Sequence, residues 1–409
     1  MKNFATSLEH LVTQLQLLDL LLRRQVMRLR AANQLTEDNM RGLYIPDTQI
    51  DTLLSQPIHH WQLPFNDEEP KGIQILNQTI ERLREENAQR ASMSPDLPLL
   101  RLATLFNLQP AECQILLISV APELDQCYET LYSYVQNDVT KRRPSVDLAL
   151  KLLYPNFNER VTHHGLFASD APLFQYKLVR LFDDPQDKEP TLLSRYLKAD
   201  QRIIDFLLDK ATIDARLLPF TQRIDPVTQL SDLVLPAEQH TRLPQIIQSL
   251  QSECAVLFLH GPYGVGKQAT AEALCTELQR PLLVADISAM TARHASQGDS
   301  DIATTIALLR RETILQGAGL YLAHFETLLA DDEATSKQRQ VLIRALTQPT
   351  FPLFLGSEVP WHPVGTWHWD PLYRTCPART RFFAAATNLA TNIRAPETAG
   401  DCRPHRASR

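Results

Sequence analysis

Glycine is scarce in this chain, 12 residues in 409, so any local cluster of it stands out. Cysteine is scarcer still. The six, Cys113, Cys127, Cys254, Cys275, Cys376 and Cys402, form no C-x-x-C pair. That argues against zinc or a disulfide framework and for thiols in a reducing compartment. Cys254 and Cys275 fall in apolar periodic stretches and are expected to be buried. No run approaches the ~18 apolar residues of a membrane span, and the opening "MKNFATSLEHLVTQLQ" lacks the apolar core of a signal peptide. The expectation is a cytoplasmic protein with no membrane partner. Excess charge is absent too: 41 Lys and Arg against 47 Asp and Glu give a net charge of −6, which offers nucleic acid no bulk attraction. No fixed-period repeat is visible. What remains is 44% hydrophobic and 22% charged, a globular composition long enough for two or three domains.

The first 220 residues read as mainly helical. Leu8, Leu11, Leu15, Leu18, Leu22, Val26 and Leu29 recur at three- and four-residue steps, with Ser7 as N-cap. Arg23, Arg24, Arg28 and Arg30 crowd the second half of that helix and are expected on a solvated face. Residues 45–70, rich in proline and acids, read as a linker or long loop. Pro98, Pro110 and Pro122 then punctuate short apolar helices, with Asp96 and Gln109 at their starts, and "SVDLALKLLY" is another. In "LFQYKLVRLFDDPQDKEPTLLSRYLKAD" two alternating stretches flank a polar turn, the signal of a hairpin and of the wing in a winged-helix unit. A DNA contact would fall on Lys141, Arg142 and Arg143, but Glu123, Asp125, Glu129 and Asp138 surround them, so nucleic acid is not the expected partner.

Residues 221–235 read as a connector. Beyond it, apolar strands alternate with helices through about residue 360, which predicts an α/β core with a doubly wound parallel sheet. Its first strand, "CAVLFLH", runs into "GPYGVGKQAT". Gly261, Gly264 and Gly266 lie within six residues, followed by Lys267. A chance match to G-x-x-x-x-G-K in so glycine-poor a chain is about one in a hundred. The glycines let backbone N–H groups point inward as an anion cradle, the helix start adds partial positive charge, and Lys267 reaches for the outer phosphates. The expected phosphate-binding stretch is Gly261, Pro262, Tyr263, Gly264, Val265, Gly266, Lys267, Gln268 and Ala269.

The segment "GPYGVGKQATAEAL" resembles the Walker A loop of AAA+ ATPases, usually close to "GPPGTGKT", and the resemblance covers about 236–360. It implies a P-loop NTPase core that binds ATP, a Walker B acid on the third strand, a polar sensor on the fourth, a helical lid, and an arginine finger from a ring neighbour. It therefore implies assembly as a homo-oligomer or with AAA+ ring neighbours. Against that pattern, Gln268 stands where Ser or Thr ligates magnesium, and Ala323 and His324 stand where the Walker B acid belongs. Glu326 is the nearby acid and the catalytic candidate; Ser357 is the sensor candidate. Thr270 faces another side of the helix. A hard cation wants oxygen ligands and phosphoryl transfer depends on its charge, so Mg²⁺ binding and hydrolysis are both expected to be weak. The N-terminal region is similar to that of bacterial AAA+ proteins whose degenerate first module precedes an intact second one, some of which accompany contractile injection systems.

The expected domains are 1–70, helix and linker; 71–220, helical and winged-helix-like; 221–365, the AAA+ core; and 366–409, a disordered, truncated or out-of-frame tail. That tail is arginine-rich and lysine-free, with no legible fifth strand. Three functions stay open: ATP binding with poor hydrolysis, a scaffold that docks a protein partner through its N-terminal domain, and DNA-linked winged-helix function.

Overall fold

The leucine spacing of the first segment produces one long helix, α1 (Ser7–Ala31). It buries Leu11, Leu18, Leu21 and Leu22. The structure, a computed structural model, describes residues 4–31, 71–185, 188–233, 237–252, 255–297, 302–330, 333–346, 350–361 and 381–386. The expected linker at 45–70, three of the cysteines and most of 366–409 lie outside them.

Helix α2 (Lys71–Ser92) buries Ile73, Ile80 and Asn87 at seven-residue steps, the narrow stripe of a helix packed on one neighbour. That neighbour is α1. Arg90 pairs with Glu9 near one end, and Arg24 Nη1 donates to Asn77 Oδ1 at 3.2 Å near the other, so the two run antiparallel. The solvated face expected of the four arginines holds for Arg23 and Arg30, which are exposed, but not for the other two. Arg24 and Arg28 are buried, and Arg24 also donates to the Leu152 carbonyl at 2.7 Å. The Arg24 stem packs while its head satisfies that carbonyl and Asn77.

Helix α3 (Pro98–Phe106) follows. Helix α4 (Pro110–Leu124) is the centre of this unit. Proline at N1 and Glu112, whose carboxylate accepts the Gln109 N–H at 2.8 Å, start it, and Ile115 to Ala121 are buried without a break. Around it lie α5 (Cys127–Val135), α6 (Val146–Leu153), α7 (Phe157–Thr162) and α8 (Pro172–Gln175). Ser145 caps α6 by accepting the Leu148 N–H. Strands β1 (Val179–Phe182) and β2 (Tyr196–Ala199) pair antiparallel, Val179 against Ala199, as the hairpin reading anticipates. Helix α9 (Gln201–Leu207) starts at Asp200, which accepts the Arg202 N–H.

The second half begins with β3 (Thr221–Ile224), α10 (Ala237–Ser252), β4 (Ala255–His260), α11 (Lys267–Glu277), β5 (Leu282–Asp286), α12 (Ile287–Gln297) and α13 (Ile302–Gln316). It continues through β6 (Gly319–Ala323), α14 (Glu333–Leu346), β7 (Leu353–Ser357) and β8 (Arg381–Ala386). The sheet order is β3-β5-β6-β7-β4-β8. All pairs are parallel except β3 with β5. Leu257, Leu259, Leu274, Tyr321 and Phe354 meet in its core. A Cβ on Gly356 would run into the Tyr321 ring, so this strand needs glycine to lie close to β6.

Two expectations change here. The 221–235 connector opens with a real edge strand: β3 is four residues long and exposed at its middle, too short to show alternation. The tail holds a fifth parallel strand, β8, paired with β4 from Ala255–Arg381 to His260–Ala386. Its short "FFAAA" run is hidden among arginines.

The chain divides into two compact units, Met1–Pro219 with His294–Gly317, and Phe220–Arg293 with Ala318–Arg409. The helix expected to stand apart in 1–70 lies in the first of these, with α2. So does α13, which the sequence places between β5 and β6. Buried charge holds it there. Arg202 donates to the Glu312 carboxylate at 3.0–3.2 Å through Nε and Nη2. Arg311 reaches the Lys177 carbonyl at 2.7 Å, Asp200 at 3.2 Å and Asp214 at 2.6 Å. Arg216 joins the same two aspartates. Arg311 and Glu312 are both 0% exposed.

Candidate functional site

The P-loop unit's chemistry sits at the C-terminal ends of its parallel strands, where open α/β sheets hold ligands. Strand β4 is buried through Leu259 and delivers the chain to Gly261, whose N–H donates to the Ser357 carbonyl on β7 at 3.2 Å. Gly264 and Gly266 then take φ of 82° and 84°, left-handed conformations that L side chains rarely adopt. Gly266 is the N-cap of α11. Its carbonyl accepts the Thr270 N–H at 2.8 Å.

Within the expected stretch, Gly261 is buried, Pro262, Tyr263 and Gly264 are exposed, and Val265, Gly266, Lys267 and Ala269 are half-buried. Lys267 Nζ arches over the loop and donates to the carbonyls of Gly261 at 2.7 Å and Pro262 at 3.0 Å. Its charge is therefore held at the mouth of the cradle. Tyr263 projects outward, 86% exposed.

Magnesium is the ion that a P-loop of this kind implies, and the residues do not fit it. Gln268 Nε2 donates to Glu272 Oε1 at 2.9 Å, and the other carboxylate oxygen of Glu272 accepts from Thr228 at 3.2 Å. Gln268 is thus tied to the helix surface. The Thr270 hydroxyl is buried and donates to the Gly266 carbonyl at 2.9 Å, so it offers no substitute. Ala323 ends β6 with no side-chain oxygen. Among the described residues, no group of three or more His, Cys, Asp or Glu side chains has metal-holding geometry.

The structure brings Glu326 and the end of β7 together. Glu326 Oε2 accepts the Glu358 N–H at 3.1 Å. Ser357 beside it is fully buried; its hydroxyl donates to the Val359 carbonyl at 2.8 Å and accepts the Val359 N–H at 3.1 Å, closing its own turn. Sequence reasoning missed Asp286, which ends β5 opposite Ala323. Asp286 caps α12 by accepting the Ser288 hydroxyl and the Ser288 and Ala289 N–H groups. Burial pushes its carboxyl upward, but those hydrogen bonds and the neighbouring His324 outweigh it and hold it below the usual range. The available signal was an acid closing the apolar run "LLVAD".

Two family descriptions match the chain. "Winged helix domain, variant" covers residues 1–221, more than half of the sequence. The chain belongs to that family. "ATPase family associated with various cellular activities (AAA)" matches residues 257–395, the segment that contains the P-loop and β8. No curated protein matches it. Similar solved structures include the FIGL-1 AAA domain at 14% identity, covering 36% of this chain and 55% of that one. A structure of katanin self-assembly matches at 15% identity, covering 37% and 55%. C. elegans PCH-2 matches at 10%, covering 40% and 48%. Each has a TM-score of 0.28. The chain spans about half the length of these structures, and the family matches carry the assignment. No helix among the described residues is long and apolar enough to cross a membrane.

Proposed function

We propose that this winged-helix protein has an AAA+ ATPase core whose P-loop binds ATP largely without magnesium, and turns it over slowly or not at all. The observation that carries this is a split in the site. Everything the phosphates need is present: left-handed Gly264 and Gly266, the N-terminus of α11, and Lys267 over the loop. Both protein contributions to the metal are missing together, Gln268 being bound to Glu272 and Ala323 lacking an oxygen. Backbone amides and a lysine suffice for anion binding, whereas phosphoryl transfer draws on metal charge. Glu326, pinned to the β7 end, is the remaining acid for orienting water, and Ser357 the polar group beside it.

A melting scan tests this. A nucleotide that binds only the folded state raises Tm by mass action. Millimolar ATP in EDTA should raise Tm, Mg²⁺ should add little, and Lys267→Ala should abolish the shift. No shift with wild type would favour the scaffold reading. Phosphate release that depends on both Mg²⁺ and Lys267 would overturn the claim of slow turnover.

For the winged-helix unit we propose a protein partner rather than DNA. Several of its basic groups are already engaged: Arg143 Nη1 lies 3.0 Å from Glu123, Lys141 Nζ lies 3.9 Å from Asp138, and Arg24 and Arg28 are buried, while Arg142 is exposed. Salt-sensitive duplex binding would sink this assignment.

A further inference from the structure

A cavity of about 280 Å³ opens in the winged-helix unit, between α6 and the turn Leu192–Ser194 that leads into β2. Its walls are fixed by hydrogen bonds. Gln136, just past α5, donates through Nε2 to the carbonyls of Tyr132, Lys141 and Arg143 at 2.9–3.2 Å, and its Oε1 accepts the Ser145 N–H at 3.2 Å. One side chain thus ties α5, the loop after it and the start of α6 together. On the other side, the Val146 N–H donates to the Arg195 carbonyl at 3.0 Å and the Leu197 N–H to the Pro144 carbonyl at 2.8 Å. The Ser194 hydroxyl donates to the Thr191 carbonyl at 2.9 Å and closes the turn. The cavity is therefore preformed, as small-ligand sites usually are.

Its lining is divided by chemistry. Val135 and Leu148 are buried, and Leu193, 40% exposed, adds a third apolar side chain that water still reaches. Lys141, Lys151 and Asp147 supply the charge, with one positive charge in excess. Lys151 Nζ donates to Asp147 Oδ2 at 2.6 Å, which uses one of its three hydrogens. Lys141 Nζ lies 3.9 Å from Asp138 Oδ2, beyond hydrogen-bond reach. Both ammonium groups keep donors for a further acceptor, while the neighbouring carboxylates cancel their wider field. One excess charge suits a single carboxylate, whereas a nucleic-acid backbone calls for a run of cations. Size narrows the occupant further. Drug-sized ligands fill about 300–1,000 Å³, so this space takes one residue of a chain and not a helix.

We propose that the cavity captures the C-terminal residue of a partner polypeptide, its apolar side chain against Val135, Leu148 and Leu193 and its carboxylate between Lys141 and Lys151. The proposal names the docking point for the protein partner assigned to this unit above, and rests on that assignment. A chain end is where a polypeptide carries an apolar side chain and a carboxylate on one residue, and its capture is a recurring mode of recognition.

The test titrates a fluorescein-labelled Gly-Ser-Ala-Leu peptide with the full chain, at neutral pH and low salt, and reads anisotropy. The same peptide ending in an amide is the control. The acid should bind about tenfold more tightly than the amide, as a charge-assisted hydrogen bond predicts. Lys141→Met and Lys151→Met should each weaken the acid by about three- to tenfold and leave the amide unchanged. Leu193→Asp should weaken both. All three side chains are partly exposed, so urea midpoints should match wild type. Equal binding of acid and amide, or lysine variants that bind the acid like wild type, overturn the proposal and leave the protein-partner reading in place. Isovalerate that displaces the peptide at equal concentration overturns the chain-end assignment in favour of a small acid. Salt-sensitive duplex binding that is lost in Lys141→Met overturns the protein-partner reading and this proposal with it.

Discussion

Two charged clusters, one in each unit, differ in every physical respect. In the winged-helix unit, Arg202, Arg311, Asp200, Asp214 and Glu312 are nearly or wholly buried, and most of their contacts lie between 2.6 and 3.2 Å. In the P-loop unit, Asp286, His324 and Glu326 are partly open to water and stand 3.4–4.0 Å apart. The first arrangement is closed. With Arg216, three arginines face three carboxylates across short contacts, although Arg202 Nη1 and Arg311 Nε are buried without a hydrogen-bond partner among the described residues. The second is loose and half-wet, its three side chains 24–45% exposed. Burial with close pairing marks charge that holds structure; exposure with incomplete pairing marks charge available for binding.

The largest effect that would test this contrast is Arg311→Met. It leaves Asp200 and Asp214 buried with a lost partner, and breaking a buried pair typically costs about 3–5 kcal/mol. Urea unfolding should show that loss, and a cost under about 1 kcal/mol, as for exposed pairs, would erase the distinction. Next comes Glu312→Gln, which keeps the shape but weakens the Arg202 contacts. It should cost about 1–3 kcal/mol. Acid should act selectively on the same cluster. Burial tends to raise the Asp214 carboxyl, but hydrogen bonds from Arg216 and the charges of Arg311 and Arg216 hold it below its ordinary value. A depressed carboxyl contributes stability above the unfolded value of about 3.9, and that stability is lost as pH falls through the lower folded value. The urea midpoint should therefore drop below about pH 4, and drop less in Asp214→Asn. The smallest effects belong to the open cluster's surroundings. Gln268→Thr should change stability by under about 0.5 kcal/mol. Alone it should not bring magnesium dependence to ATP binding, because Ala323 still lacks an oxygen; the pair Gln268→Thr with Ala323→Asp should.

Much of the site could be read directly. Three glycines and Lys267 after an apolar strand predict the loop because the backbone there must take conformations only glycine adopts easily. The hairpin was legible from its alternation. What escaped was whatever depends on partners distant in sequence. Strand β3 is too short to carry a period. Strand β8 is an edge strand, defined by its pairing with β4 more than by its own pattern. Arg24 and Arg28 look solvent-facing because charge usually is, and only the Leu152 carbonyl and Asn77 explain the burial of Arg24. Asp286 could be seen as the end of a strand, but its position beside His324 depends on the β5–β6 register.

Helix α13 has a consequence for the order in which the protein can be made. Domains generally fold as units as they emerge from the ribosome, the N-terminal one first. Here the winged-helix unit must wait. When residue 219 has been synthesised, Asp200 and Asp214 still lack Arg311, and Arg202 still lacks Glu312. The glycine loop, β4 and β5 all leave the ribosome before those partners do. The nascent chain therefore carries an unfinished first unit through nearly a hundred further residues, an interval in which chaperones have unmatched charge and an uncovered face to hold.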